Sequence, residues 1–444
     1  PLGRSHGSPA VIPRCSCIQL EHSPGDLGGE FTIYDERKGA LMRSGLKRRG
    51  AILVLLLAFA LVVAACSSDD SDGGTEETTT TEATEETTTT AGTEETTTTA
   101  APEETTTTAP AFTGEAVKTC LVTDLAGVDD RSFNAGSWAG VQAAIELGYA
   151  TEDSFFLEST DASDWQPNID QMVSQGCEHI VTVGFALGEV TAINAQAYPD
   201  ITWTMVDNVL TDENFAPLAL PNVRELVYQT DQAAFAAGYL AAGVSETGVL
   251  CTYGGANFPT VAIFMDGFTR GAFHYNEVKG ESVSVLGWDP EAADGLFTGS
   301  FTDMNLARST AESLFQENCD VIIPVGGAIN LPAGDVINDT GLNAALVGVD
   351  ADAFEAMPDQ YSSLWLTTVL KDLTGLVTLS VKEQAEGMWA PGAYVGNLQN
   401  DGVGLAPYHD WADRVSPELD AEVQQLLADI KAGVIKADYT PVGY

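Results

Sequence analysis

From Val117 onward, short apolar runs alternate with stretches whose apolar residues recur at helical spacing. The pattern predicts strands at Val117–Thr123, Ser154–Glu158, His179–Val183 and Thr202–Val206. Between them it predicts helices over about Ala135–Leu147, Pro167–Gln175 and Val190–Ala197. Near-continuous apolar strands alternating with helices mean a parallel sheet covered on both faces. The rhythm then restarts. Helices are predicted at Asp231–Ala242, Val261–Tyr275 and Asn305–Gln316, and strands at Gly248–Tyr253, Ser282–Gly287, Val321–Val325 and Ala345–Val349. Segment 172–184 (MVSQGCEHIVTVG) parallels segment 314–326 (LFQENCDVIIPVG). The fold class is therefore α/β, with two similar doubly wound lobes. Ligands in such sheets bind beyond the carboxyl ends of the strands, so two facing lobes place those ends around one cleft. The expected division is residues 115–230 for lobe 1 with part of about 350–385, and 231–349 for lobe 2 with part of about 386–444.

Upstream, the pattern changes twice. Residues 51–65 form an uninterrupted apolar run that follows the basic segment Met42–Arg49 and ends at Ala64-Ala65-Cys66. Fifteen residues fall short of the ~20 a bilayer-spanning helix needs, and fit the h-region of a signal peptide. Small residues before a cysteine resemble the lipobox of bacterial lipoproteins. Residues 42–65 then read as a lipoprotein signal peptide and Cys66 as the lipidated residue. The protein is expected to be exported, lipid-anchored to the cell membrane and facing the extracytoplasmic side. An export signal belongs at the N-terminus, so translation is expected to start at Met42, with residues 1–41 a non-native upstream segment. Residues 66–114 hold almost nothing apolar. Glu-Glu-Thr-Thr-Thr-Thr recurs there from Glu76, Glu85, Glu94 and Glu103. Such a composition cannot offset its ordering entropy, so the stretch reads as a disordered tether spanning roughly 35–40 Å.

Charge sharpens this division. The 444 residues carry 64 acids against 19 bases, and eight of those bases precede residue 50. The body is thus strongly acidic, which excludes nucleic-acid polymers as partners, because phosphate contacts need clustered Lys and Arg. The 44% hydrophobic content still suffices for sizeable cores.

Four cysteines follow the repeat. Cys120 and Cys251 lie in the first strand of each lobe, and Cys177 and Cys319 each enter the third. In a 2-1-3 strand order these elements are neighbours, and an exported compartment permits disulfides. Bridges Cys120–Cys177 and Cys251–Cys319 are expected, four buried free thiols being the alternative. Register is the constraint, since bridging tolerates Cα separations only to about 7 Å. Catalytic signatures are missing: there is no G-x-x-x-x-G-K-[ST], H-E-x-x-H or G-x-S-x-G. His179, His274 and His409 stand far apart without a companion cysteine pattern. Neither an enzyme, a metal site nor a cofactor is expected. Lys371 stands out as one of 11 bases after residue 50, set in an apolar stretch. A buried lysine needs a partner, and Asp350 is a candidate.

Several segments at strand ends are more specific. Residues 122–134 (VTDLAGVDDRSFN) resemble the signature of the basic membrane protein family. The resemblance continues through 205–208 (MVDN), 299–303 (GSFTD), 323–327 (IPVGG), 347–352 (VGVDAD) and 368–371 (TVLK). It implies a type I periplasmic-binding-protein fold, with a hinge and a ligand cleft between the lobes. It also implies a lipid-anchored substrate-binding protein of an ABC importer, which delivers a purine nucleoside to permease subunits, with the protein expected to be a monomer. By resemblance Phe133 and Phe301 sandwich the base, Asp124 accepts hydrogen bonds from the base edge, and Asn134 assists. Asp207 contacts ribose or base, and Asp350 and Lys371 take the ribose hydroxyls. Gly326 or Gly327 allows close approach of the backbone. Arg131 stands where lysine is common, and its role stays open. A flavin or sugar-like ligand on the same fold, or a tethered surface sensor or adhesin, is the alternative.

Overall fold

The computed structural model describes residues 112, 114–214, 216–437 and 439. The upstream segment, the signal peptide with Cys66 and nearly all of the tether lie outside the described residues.

In chain order, the first lobe runs β1 (Thr119–Val122), α1 (Phe133–Glu146), β2 (Phe155–Leu157), α2 (Trp165–Ser174), β3 (His179–Val183), α3 (Gly188–Ala197), β4 (Thr202–Val206) and β5 (Val223–Tyr228). The chain then builds the second lobe from α4 (Thr230–Val244), β6 (Val249–Gly254), α5 (Pro259–Lys279) and β7 (Ser284–Leu286). A small hairpin follows, β8 (Trp288–Asp289) and β9 (Asp294–Gly295). Next come α6 (Met304–Gln316), β10 (Val321–Val325), α7 (Leu331–Thr340), β11 (Ala345–Asp350), α8 (Ala353–Ala356) and β12 (Trp365–Lys371). It returns through α9 (Leu373–Ala385) and β13 (Gly392–Gly396), then ends with β14 (Val403–Leu405) and α10 (Pro417–Lys431).

One sheet has the order β2-β1-β3-β4-β5-β13, all parallel. The other is β7-β6-β10-β11-β12-β14, parallel except for the last pair. Both contain the 2-1-3 order that the cysteine argument needs. The exchange between lobes falls further along than the sequence division: β12 stays in the second sheet, while β13 completes the first. Three crossovers result, after β5, β12 and β13. They lie against one another, with Gln229 N–H donating to the Gly396 carbonyl at 2.8 Å and Asp372 N–H to the Gly402 carbonyl at 3.0 Å.

The pairing register settles how the cysteines meet. Cys120 faces Ile180 and Cys251 faces Ile322, so each partner cysteine lies three residues upstream of the facing position. Two residues beyond the ends of α2 and α6, Gly176 (φ +76°) and Asn318 (φ +66°) adopt left-handed positions that turn the chain sharply. That turn brings Cys177 and Cys319 alongside the strands. Disulfides Cys120–Cys177 and Cys251–Cys319 form with Cα atoms 6.0 Å apart in each.

Helix α4 starts the second lobe. Twelve of its 15 residues are buried, which accounts for its alanine-rich sequence. It packs on α5 almost backbone to backbone: a Cβ on Gly238 would lie 1.9 Å from the Phe268 carbonyl oxygen, and one on Gly271 1.9 Å from that of Phe235.

His179 is structural. Its Nδ1 lies 2.8 Å from Thr202 Oγ1 and its Nε2 2.9 Å from Thr204 Oγ1, which in turn meets Ser380 Oγ of α9 at 2.7 Å. Burial first, then Arg224, pushes its pKa down to about 3, so the ring stays neutral. Among the described residues no group of three or more His, Cys, Asp or Glu is placed to hold a metal ion. No described helix is long and apolar enough to cross a membrane.

Candidate ligand-binding site

The carboxyl ends of both sheets face a cavity of about 270 Å³. Every residue singled out in the sequence for ligand contact lines it: Asp124, Phe133, Asn134 and Asp207 from the first lobe, and Phe301, Gly326, Gly327, Asp350 and Lys371 from the second. Arg131 is exposed and is not among the lining residues.

The segment after β1 shows how the chain shapes one wall. Asp130 is buried, and its carboxylate accepts from the backbone N–H groups of Ser132, Asn134 and Ala135 at 3.0, 2.8 and 3.0 Å. It thereby satisfies N–H groups that the start of α1 leaves open. This fixes Phe133 and Asn134 at the cleft. Asn134 Nδ2 then donates to Asp130 at 3.0 Å and to Asp124 at 2.7 Å. Burial drives the Asp124 pKa up to about 6. Hydrogen bonds from Ala126 N–H and Asn134 oppose that rise, and the charges of Asp130 and Asp350 add to it. Asp124 is thus a carboxyl poised to titrate near neutrality, at the mouth of β1.

Asp207 follows β4 and Asp350 ends β11, the fourth strand in chain order of each six-stranded sheet. Both adopt left-handed backbone, with φ of +64° and +69°. Non-glycine residues in that region cost energy that the surroundings must offset, and such residues cluster at ligand sites. Lys371 ends β12 and reaches both. Its Nζ lies 2.6 Å from Asp207 Oδ2 and 3.4 Å from Asp350 Oδ1, and all three side chains are buried. The sequence nominated Asp350 as the lysine's partner; Asp207, from the opposite lobe, is the closer one. The ammonium also sits over ring faces, 4.9 Å from the Phe264 centroid and 5.2 Å from that of Phe133. Burial lowers the Lys371 pKa, but the two carboxylates outweigh it and hold the lysine above its ordinary range. Two carboxylates share one cation, so desolvation raises the pKa of both Asp207 and Asp350 despite the lysine. A buried carboxyl short of countercharge is well suited to accept from neutral hydroxyls.

The aromatic complement is larger than the sequence suggested. Phe301 stacks on Phe258, with centroids 6.0 Å apart and an interplanar angle of 29°. Phe258 meets Phe185 of the other lobe at 5.0 Å. Trp165 and Phe264 also line the cavity. Sequence reasoning missed these rings because Phe185 and Phe258 follow strands in loops with no periodicity to read. Their only local signal was position: each lies just beyond a predicted strand end. Glycines make room for the stack. A Cβ on Gly255 would lie 2.3 Å from the Phe301 ring, and one on Gly326, whose φ is +150°, 2.8 Å from it. Ser132 Oγ closes the interior, donating to the Val349 carbonyl at 3.1 Å and lying 3.3 Å from Asp350 Oδ2 across the lobes.

Two doubly wound lobes, three adjoining crossovers and an aromatic, acid-lined cavity between them define a two-lobed binding protein that encloses a small ligand. Residues 117–440 match the model of the Bmp family, described as ABC transporter substrate-binding protein PnrA-like. The chain belongs to this family of substrate-binding proteins. It is 26% identical over 336 residues to the ABC transporter nucleoside-binding protein BmpA of Lactococcus lactis subsp. cremoris, covering 72% of this chain and 88% of that one. It is 24% identical over 318 residues to basic membrane protein A of Borreliella burgdorferi, covering 71% and 86%. Among solved structures, it is similar to an ABC transporter solute-binding protein from Aeropyrum pernix K1, with a TM-score of 0.63 and 21% identity, over 74% of this chain and 94% of that one. One from Conexibacter woesei gives a TM-score of 0.55 at 20% identity, over 72% and 98%. These likenesses establish the type I periplasmic-binding fold.

Proposed function

We propose that the protein binds a purine nucleoside between its lobes and delivers it to an ABC permease, while anchored to the membrane through lipidated Cys66. The observation that carries this reading is the division of the cavity into two chemistries. One part is an aromatic slot, with Phe301 backed by Phe258; Phe133, whose ring also faces the Lys371 ammonium, lines the same cavity. The other is the buried Asp207–Lys371–Asp350 group. The slot suits a base, since stacking contributes roughly 1–3 kcal/mol. The ionic group suits vicinal hydroxyls, the lysine donating and the carboxylates accepting. Asp124 and Asn134 line the same cavity, and their polar groups are suited to pair with the edge of a base. A neutral nucleoside carries no phosphate for these acids to repel, and the nucleoside-binding relative in Lactococcus supports the same reading.

The test is native mass spectrometry of the purified protein, with ligand identification after denaturation, followed by calorimetry with adenosine, guanosine, inosine and ribose. A carried purine nucleoside, or micromolar or tighter binding of at least one, is expected. Binding of all three no better than ribose overturns the proposal. A carried flavin would favour the flavin alternative instead.

A further inference from the structure

Beside the main cavity lies a second one of about 370 Å³, also between the lobes. The two share Phe185, Asp207 and Thr260 as walls, so they are adjoining compartments of one cleft. The character changes across that boundary. The second compartment is walled mainly by Val209, Val227, Tyr228, Pro259 and Ile263, with the ring of Phe185 at its junction. The Tyr228 hydroxyl is buried and has no hydrogen-bond partner among the described residues. Burial, reinforced by Asp207, raises its pKa, so it stays protonated and able to donate. The junction is formed by Asp207 of the ionic group, by Thr260 and by Phe185, the ring that meets Phe258 across the cleft.

We propose that this compartment is a subsite for an apolar substituent on the sugar, so that the protein takes 5′-modified nucleosides such as 5′-alkylthio derivatives as well as plain ones. The inference rests on the nucleoside reading of the main cavity. A ligand whose hydroxyls meet Asp350 and Lys371 lies next to Asp207, a wall shared by both compartments, so a substituent on its sugar has the second compartment within reach. Water is held poorly among Val209, Val227 and Ile263, and an alkyl group displaces it favourably.

The test is calorimetry with adenosine and a series of 5′-alkylthioadenosines from methyl to butyl, on the wild-type protein and on Val209→Trp. Val209 is 37% exposed, so tryptophan there can occupy the compartment without invading a core. Ile263→Phe serves as a second filling variant, and melting curves confirm that each is folded. The wild type should bind the alkylthio compounds at least as well as adenosine, with affinity rising by up to about fourfold per buried methylene. The filling variants should lose that chain-length dependence, by tenfold or more at butyl, while adenosine affinity changes less than about twofold. Adenosine binding with tenfold or weaker binding of every alkylthio analogue overturns the subsite alone. So does equal loss of adenosine and analogues in both variants. Failure of adenosine and analogues while guanosine or inosine binds overturns the subsite alone, and failure of all three nucleosides and the analogues overturns it together with the nucleoside reading.

Discussion

Replacing Lys371 by methionine tests the electrostatic core of the site most directly. The substitution keeps an apolar stem of similar length and removes only the ammonium. Asp207 and Asp350 would then face each other, buried, with no countercharge at 2.6 or 3.4 Å. Removing one partner of a buried pair typically costs about 3–5 kcal/mol, because the remaining charge stays desolvated. Here the effect has a pH signature. Burial already raises the pKa of both aspartates, and loss of the lysine raises them further. A carboxyl whose folded pKa is raised contributes stability in its protonated form, and that contribution is lost as pH rises through the folded value. The variant should therefore be destabilised by about 3–5 kcal/mol where both carboxyls are ionised, and by less as falling pH protonates them. Urea unfolding of both proteins at pH 7 and pH 5 measures this. A destabilisation under about 1 kcal/mol at pH 7 together with no dependence on pH would refute the reasoning, because it means the group is solvated.

Three further outcomes follow from the geometry. Phe301→Ala should weaken purine nucleoside binding by roughly 5- to 150-fold, the equivalent of one lost stack, with little effect on a sugar-like ligand; calorimetry decides it. Asp124 has a pKa of about 6 in the unliganded protein. A ligand that donates to its carboxylate lowers that value, so wild-type affinity should fall by up to about tenfold per pH unit below 6, and Asp124→Asn should flatten the profile. Gly238→Ala drives a methyl to within 1.9 Å of the Phe268 carbonyl oxygen. It should destabilise the second lobe by at least about 1–3 kcal/mol in thermal unfolding, and a melting curve identical to wild type would show that α4 and α5 are not in close contact.

Much of this molecule is legible in the sequence because its strands are buried on both faces. Ile322 and Leu346 belong to runs with no polar interruption, Val181 to one broken only by Thr182, and the duplicated run around Cys177 and Cys319 exposes the two-lobe plan. β5 is harder to see. It reads Val-Arg-Glu-Leu-Val-Tyr, and two charges argue against a buried strand. The fold compensates for both: Arg224 pairs with Glu383 at 2.5 Å and donates to the Ala390 carbonyl, while Glu225 accepts from Leu210 N–H. Those partners are distant in sequence or lie in loops, so no local pattern shows them. The same limit applies to the site. Residues at strand ends, such as Asp124 and Asp350, stand out from the apolar runs they terminate. The reach of Lys371 to Asp207 depends on how one lobe meets the other, and periodicity within either lobe carries no information about that. Phe258 and Phe185 belong to the same class, since their value lies in a contact across the cleft.

The placement of β13 constrains the order in which the protein can become functional. The first lobe is emitted first, yet its edge strand, Gly392–Gly396, arrives only after the whole of α4 through β12. Until then β5 is an open edge, with unpaired backbone groups able to recruit a wrong strand. α9, which covers α1, is equally late. A chain that emerges N-terminus first therefore completes neither binding wall early. The first lobe waits for residue 396, and the lysine that joins the two walls arrives at residue 371. The interval between those events is when the chain is most exposed to mispairing, so chaperone contact during export should concentrate on β5 and on the uncovered face of α1.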